Sequence, residues 1–265
     1  MNYGLIGDPI THSLSPSIHN RNFGALNESS IYHLYEDYSI EKSLKEFMEV
    51  NDIKGLNVTF PYKSVVLKDL NELTPISKQL GSVNTILRNH DQLIGHTTDG
   101  LGFIDAYKEM IIDSEHILLI GFGGACKPIF YELTKLNKDI TIMKRNISEC
   151  QYEPFIHDES ISEVKTVEFD PNHVLDGYCL VVNTTPVGMN DEMVLTNFNV
   201  LPKYAIDIIY KPLMTPWLER MKLHGVTVDH GIGMLVHQAA HAYHFWTSRQ
   251  ARIDSMIEKV QDTLN

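Results

Sequence analysis

Short apolar runs rich in β-branched residues alternate with amphipathic segments along the whole chain, and this alternation limits the fold more than any other feature. Such a succession specifies an α/β protein with mainly parallel sheets, because a strand returning parallel to its predecessor needs a crossover helix. Strands are predicted at residues 3–7, 31–35, 56–60, 84–88 and 93–97, then at 116–120, 140–143, 179–183, 204–209 and 226–228. Helices are predicted at 18–26, 41–51, 64–70, 99–112, 127–136, 234–246 and 253–263. Only Asn89-His90-Asp91-Gln92 joins 84–88 to 93–97, the spacing of a hairpin, so one strand of the first sheet should run antiparallel. Residues 149–176 are polar and irregular, with loops expected around weak elements. Two α/β units joined near 99–102 are the simplest layout.

A length of 265 residues suits one large domain or two small ones. A core of that size needs no disulfides. The three cysteines, Cys126, Cys150 and Cys179, are odd in number and lack paired spacing, which points to a reducing compartment. With 22 basic and 34 acidic residues the net charge is −12, so long-range steering opposes nucleic acid. An anionic small molecule would need a local cluster of donors. No apolar run approaches the ~18–20 residues that cross a bilayer, and the N-terminus has no basic region of a signal peptide. A cytoplasmic location is expected, with a small-molecule substrate and neither nucleic acid nor membrane as partner, the chain being a monomer or homodimer.

Gly121-Phe122-Gly123-Gly124-Ala125-Cys126 directly follows an apolar strand and opens a helix, the setting of a dinucleotide-binding turn. The first glycine permits the tight turn, the second lets a pyrophosphate approach the backbone, and a small third residue permits close helix–strand packing. Cys126 takes that third position. The phosphates would sit on free N–H groups at the positive end of the helix. An NAD enzyme usually ends the next strand with Asp or Glu, but here it ends Met143-Lys144-Arg145-Asn146. Two cations suit a ribose 2′-phosphate, with the Arg guanidinium as a planar fork, so NADP is the expected cofactor.

The N-terminal half places polar clusters at the ends of its apolar strands: Ser13-Leu14-Ser15-Pro16, then Asn57-Val58-Thr59-Phe60-Pro61-Tyr62-Lys63, then Gly81-Ser82-Val83-Asn84-Thr85, then Gly95-His96-Thr97-Thr98-Asp99-Gly100. Two hydroxyls one residue apart beside a helix start can hold a carboxylate, although Ser also makes an ordinary N-cap. Open α/β sheets bind ligands at strand ends, which gives the joint placement its weight. Lys63 is the only cation of the cluster, hence the candidate proton donor and oxyanion stabiliser, with Asp99 to accept from a substrate hydroxyl and orient it.

These motifs, in this order, resemble the shikimate dehydrogenase family from end to end. Its Ser-Leu-Ser-Pro, Asn-Val-Thr-x-Pro-x-Lys, Gly-x-x-Asn-Thr and Gly-x-Gly-Gly-Ala elements match residues 13–16, 57–63, 81–85 and 121–125. Further matches are Asn183-Thr184-Thr185-Pro186, Tyr210-Lys211-Pro212 and Gly231-Ile232-Gly233-Met234-Leu235-Val236-His237-Gln238. The resemblance implies NADP-dependent interconversion of 3-dehydroshikimate and shikimate, in the pathway to chorismate and the aromatic amino acids. It implies that Ser13 and Ser15 bind the carboxylate, and that Thr59, Lys63, Asn84, Asp99 and Gln238 hold the ring hydroxyls with Tyr210 nearby. Lys63 and Asp99 would be the catalytic pair. Gly121, Gly123, Gly124, Ala125, Lys144, Arg145, Asn146, Thr184, Gly231 and Met234 would serve the cofactor. Residues 1–101 would form the substrate domain and 102–236 a Rossmann-like NADP domain, with a cleft between them and 237–265 returning to the first. Thr97 stands where the family usually has Asn, and Lys144 and Asn146 differ from its Asn-Arg-Thr.

His237-Gln238-Ala239-Ala240-His241 has the two-His spacing of a zinc helix, but Gln238 cannot replace the glutamate that chemistry needs, and no metal is expected. The same fold also serves ligand-sensing modules that bind shikimate or quinate without turnover. Both Lys63 and Asp99 are present and no DNA-binding appendage is found, which favours the enzyme. A quinate/shikimate dehydrogenase using NAD is the alternative within enzymes.

Overall fold

The computed structural model describes residues 1–36, 43–146 and 164–264. The chain begins β1 (Asn2–Ile6), α1 (Ser15–Ala25), β2 (Ile31–Leu34), α2 (Leu44–Val50), β3 (Ile53–Val58), β4 (Glu72–Leu73), α3 (Pro75–Leu80), β5 (Thr85–Asn89), β6 (Gln92–His96) and α4 (Asp99–Ala106). It continues α5 (Lys108–Ile112), β7 (His116–Ile120), α6 (Cys126–Thr134), β8 (Asp139–Lys144), β9 (Lys165–Glu168), β10 (Leu180–Asn183), β11 (Tyr204–Asp207), α7 (Pro216–Leu223), β12 (Thr227–His230), α8 (Ile232–Thr247) and α9 (Ile253–Leu264). Two compact units result, one of Met1–Gly102 with Leu235–Asn265, the other of Phe103–Met234. It is an α/β protein with two mainly parallel sheets.

The first unit holds a six-stranded sheet in the order β2-β1-β3-β5-β6-β4. β1 runs parallel to both β2 and β3, and β4 runs parallel to β6. β5 pairs antiparallel with β3 and with β6, so it alone runs the opposite way. Side chains alternate across the sheet: β1 sends Tyr3 and Leu5 into one apolar cluster and Ile6 into the other. The first of these clusters includes Tyr243 and Trp246 of α8. The Trp246 indole donates to the Ile86 carbonyl at 3.0 Å, and the Arg252 N–H donates to Asn22 Oδ1 at 2.8 Å, which ties the C-terminal helices to this sheet.

The second unit holds six parallel strands in the order β12-β11-β10-β7-β8-β9. After His116, β7 is apolar because both faces are covered: Ile117 and Leu119 enter one cluster, Leu118 and Ile120 the other.

Some local predictions differ from the structure. Residues 65–69 form a 3₁₀ turn and not a full α-helix. The helix expected over 99–112 breaks at Tyr107, whose torsions (φ −120°, ψ 25°) leave the helical region. The break accompanies burial of the Tyr107 ring, whose hydroxyl donates to the His230 carbonyl at 2.7 Å. β4, α3 and α7 appear where no element was expected, and β9 is a short strand within the stretch expected to hold weak elements. Most of the polar 149–176 stretch, including Cys150, lies outside the described residues, as does the start of the helix expected at 41–51.

Candidate active site

Strand order decides where the polar clusters meet. In the first sheet β1 is flanked by β2 on one side and β3 on the other, so the connections leaving β1 and β3 diverge and open a crevice at their C-terminal ends. The Ser13–Ser15 segment follows β1, and Thr59 to Lys63 follow β3. Because β5 runs backwards, its N-terminal Asn84 arrives at that same edge, and β6 delivers Asp99 from its C-terminal end. The backbone seals the junction: Val58 N–H donates to the Asn84 carbonyl at 2.8 Å, and Asn84 N–H to the His96 carbonyl at 3.1 Å.

At this edge Lys63 Nζ donates to Asp99 Oδ2 at 2.5 Å, and Asn84 Nδ2 donates to Asp99 Oδ1 at 2.7 Å. Thr98 N–H donates to Asn84 Oδ1 at 2.9 Å, which settles which end of the amide faces Asp99. The Asp99 side chain is 9% exposed and that of Lys63 23%, so the ion pair is shielded from water while the ammonium stays reachable. Ser13 Oγ donates to Ser15 Oγ at 3.1 Å, and the Ser15 N–H donates to Ser13 Oγ at 3.2 Å. Thr59 is half-buried just after β3, its N–H donating to the Ile6 carbonyl at 2.9 Å. Gln238, on α8, donates its side-chain amide to the Leu235 carbonyl at 2.9 Å. Its backbone packs so closely on α4 that a Cβ at Gly102 would lie 2.6 Å from Gln238 N, so only glycine fits there. An ammonium paired with a buried carboxylate, a hydroxyl pair and several amides make a constellation able to grip a polyhydroxy acid and pass a proton to one of its oxygens.

In the second unit β7 is flanked by β8 and β10, so the crevice of that sheet opens above the turn after β7. Gly121 sits at φ +97°, a conformation that L side chains rarely adopt, and a Cβ there would approach Thr185 Cγ2 to 2.7 Å. Gly123 is exposed, and a Cβ on it would meet no protein atom within 4 Å. Ala125 gives α6 no side-chain cap, but the Lys127 N–H is already taken by the Gly123 carbonyl at 3.2 Å and Pro128 has none, so room for a ligand lies over the exposed Gly123–Gly124 backbone and not over the helix's first turn. The open, side-chain-free backbone of this turn lets a pyrophosphate approach closely, so the residues present fit a dinucleotide. Cys126 is buried and its thiol is pushed up to about 12, chiefly by burial, which leaves it a small packing residue. Thr184 is buried and its hydroxyl donates to the Ile120 carbonyl at 2.7 Å, clamping β10 to the end of β7. Lys144 ends β8 half-buried, with Arg145 and Asn146 exposed after it. The Gly231 N–H donates to the Ile209 carbonyl at 3.0 Å, while Met234 is packed in an apolar cluster with Phe103 and Tyr107. Tyr210 follows β11, and burial raises its phenol. Among the described residues no group of three or more His, Cys, Asp or Glu is placed to hold a metal.

The shikimate dehydrogenase substrate binding domain profile matches residues 5–86, and that of the shikimate 5′-dehydrogenase C-terminal domain matches 231–261. The NADP(+) shikimate dehydrogenase of Pyrococcus furiosus is 36% identical over 262 residues, covering 96% of this chain and 93% of that one. The chain belongs to the shikimate dehydrogenase family. The Bacillus cereus (strain ATCC 10987) shikimate dehydrogenase (NADP(+)) is 34% identical, over 97% of this chain and 96% of that one. A Thermus thermophilus shikimate 5-dehydrogenase solved with NADP(H) and shikimate superposes with a TM-score of 0.85 at 27% identity, covering 100% of both chains.

The shikimate dehydrogenase motifs read from the sequence thus fall into two groups in the structure. Ser13, Ser15, Thr59, Lys63, Asn84, Asp99 and Gln238 belong to the first unit, whereas Tyr210 and the glycine-turn residues belong to the second. Thr97, standing at the family's Asn, is buried. Thr98 was given no role from the sequence, yet its N–H orients Asn84, and its only signal was adjacency to Asp99. Tyr32 and His19 carried no motif signal for a role, although both are fully buried beneath the site.

Proposed function

We propose that this chain interconverts 3-dehydroshikimate and shikimate with NADP(H), residues 1–101 and 237–265 serving the substrate and 102–236 the cofactor. When bound, NADPH supplies a hydride equivalent to the carbonyl carbon. Ser13 and Ser15 donate to the substrate carboxylate, which fixes one end of the ring. Thr59, Asn84 and Gln238 hold ring hydroxyls, and Tyr210 also serves the substrate. Lys63 Nζ gives its proton to the oxygen of the former carbonyl as charge builds there, and the neutral amine is reprotonated from water. Asp99 accepts from the substrate hydroxyl and keeps the ammonium aimed. In the oxidative direction the alcohol proton leaves by the same route. Gly121, Gly123, Gly124 and Ala125 would present backbone to the pyrophosphate, and Thr184, Gly231 and Met234 would also help hold the cofactor. Lys144, Arg145 and Asn146 face the 2′-phosphate. The enzyme acts in the cytoplasm as a monomer or homodimer.

The observation that supports this reading best is the shielded Lys63–Asp99 pair, 2.5 Å apart and steadied by Asn84. Its test is steady-state oxidation of shikimate with NADP and with NAD, quinate competing, for the wild type and Lys63→Ala. General acid catalysis is worth about 10²–10⁴-fold, so Lys63→Ala should lower kcat by about that factor while KM rises far less. An unchanged kcat with a raised KM would make Lys63 a binding group only. Faster turnover with quinate and NAD would assign the other activity, and binding without turnover would assign a sensing module.

A further inference from the structure

Beneath the candidate active site lies a buried tyrosine whose hydroxyl no packing role explains. Tyr32 is in β2, and its backbone is clasped on both sides by Asn20, whose Nδ2 donates to the Tyr32 carbonyl at 3.0 Å and whose Oδ1 accepts from the Tyr32 N–H at 2.8 Å. The ring stacks on His19 with centroids 4.3 Å apart and planes 4° from parallel. His19 lies one helical turn beyond Ser15 in α1, so both project on the same side of that helix. Burial pushes the imidazole down to about 3, so it remains neutral, and its nitrogens find no hydrogen-bond partner among the described residues.

A phenylalanine would fill this space equally well. The hydroxyl instead donates to Asn57 Oδ1 at 2.8 Å, and Asn57 Nδ2 donates to the Asn84 carbonyl at 3.1 Å. That carbonyl belongs to the residue whose side chain holds Asp99. The ring meets the hydroxyl pair another way: it stacks on His19, one turn beyond Ser15, whose hydroxyl accepts from Ser13.

We propose that Tyr32 is a positioning residue: its hydroxyl steadies the Asn84–Asp99–Lys63 group through Asn57, while its ring, stacked on His19 one turn from Ser15, keeps the Ser13–Ser15 pair in register with that group. This rests on the function proposed above. The bridge has to be buried because water at the Tyr32 hydroxyl would compete for Asn57 and loosen both ends together.

The test compares Tyr32→Phe, Asn57→Ala and the double variant in the full chain, alongside Lys63→Ala and the core variant Phe23→Leu. One buried neutral hydrogen bond sets the scale, so Tyr32→Phe should lower kcat/KM for shikimate by about 2–12-fold, chiefly through kcat, with KM for NADP unchanged. The double variant should have the kcat of Asn57→Ala alone, because both changes cut the same bridge. Phe23→Leu should lower Tm while leaving kcat and KM of the folded enzyme intact. If Tyr32→Phe loses only Tm, or if the two losses in kcat multiply independently, Tyr32 is a packing residue and the inference falls. A kcat loss in Lys63→Ala with none in Tyr32→Phe overturns the inference alone. No loss in Lys63→Ala overturns the function it rests on as well.

Discussion

Asp99→Asn keeps the size and shape of the side chain and removes only its second acceptor. In the native site two donors converge on Asp99, Lys63 Nζ on Oδ2 at 2.5 Å and Asn84 Nδ2 on Oδ1 at 2.7 Å. Asn84 cannot turn its amide over to help, because its own Oδ1 is held by the Thr98 N–H at 2.9 Å. An amide at position 99 therefore offers one oxygen to two fixed donors and sets its NH₂ against the other. If the oxygen stays on Asn84, the amide faces the Lys63 ammonium and repels it; the reverse choice opens the Asn84 contact. Either way one charge-assisted hydrogen bond is lost, worth about 1.5–3 kcal/mol. If that contact matters only once Lys63 is aimed at the reacting oxygen, kcat for shikimate oxidation should fall about 10–200-fold. KM for shikimate should change far less, and KM for NADP should not change. The assay is initial-rate kinetics at saturating NADP, with a thermal melt to show that the isosteric variant folds. A variant with wild-type kcat would refute the argument that Asp99 aims Lys63.

Two further outcomes test other parts of the molecule. Arg145→Ala should weaken NADP binding about 10–200-fold while leaving NAD almost unaffected, the scale of one charge-assisted contact, as read by fluorescence titration of both cofactors; equal losses would mean that Arg145 does not meet the 2′-phosphate. Asp207 is fully buried, and burial raises its carboxyl from 3.8 to about 6 even though Asn183, the Ile209 N–H and Thr215 donate to it. The folded state thus keeps a proton that the unfolded chain releases near pH 4, so this group's contribution is fully present below pH 4 and is lost as pH rises through about 6, by up to about 3 kcal/mol. In urea unfolding, the stability gap between wild type and Asp207→Ala should narrow between pH 4.5 and 7, and a gap that widens would reverse the sign.

The second sheet and the hairpin of the first were legible because their signals are local. The 116–120 run is apolar at every position after His116, as a strand covered on both faces must be, and Gly121 follows where a positive φ is needed. The four-residue turn at 89–92 leaves β5 and β6 close enough to pair at once, and His90 there takes φ 53°. β4 gave no such signal, since two residues have no period, and Glu72–Leu73 becomes a strand only because β6 offers a free edge. The helix break at Tyr107 was equally hidden, because its hydroxyl is satisfied by a carbonyl 123 residues away.

The candidate site divides in the same way. Its residue types were readable beside their motifs, because a strand end followed by Ser-x-Ser, Thr-x-Pro-x-Lys or Thr-Asp names its chemistry within a few positions. Their convergence in the first unit was not, since it depends on β5 lying reversed between β3 and β6 and so bringing Asn84 to the edge where Lys63 and Asp99 emerge. The bridge from Tyr32 through Asn57 to Asn84 spans 25 and then 27 residues of sequence. Sequence alone determined most of the longer elements and the chemical groups, because backbone preference and apolar periodicity act between near neighbours. Tertiary structure decided which groups share a proton or a hydrogen bond, because those interactions act only over a few ångströms and exist only after strand order and register have brought distant residues together.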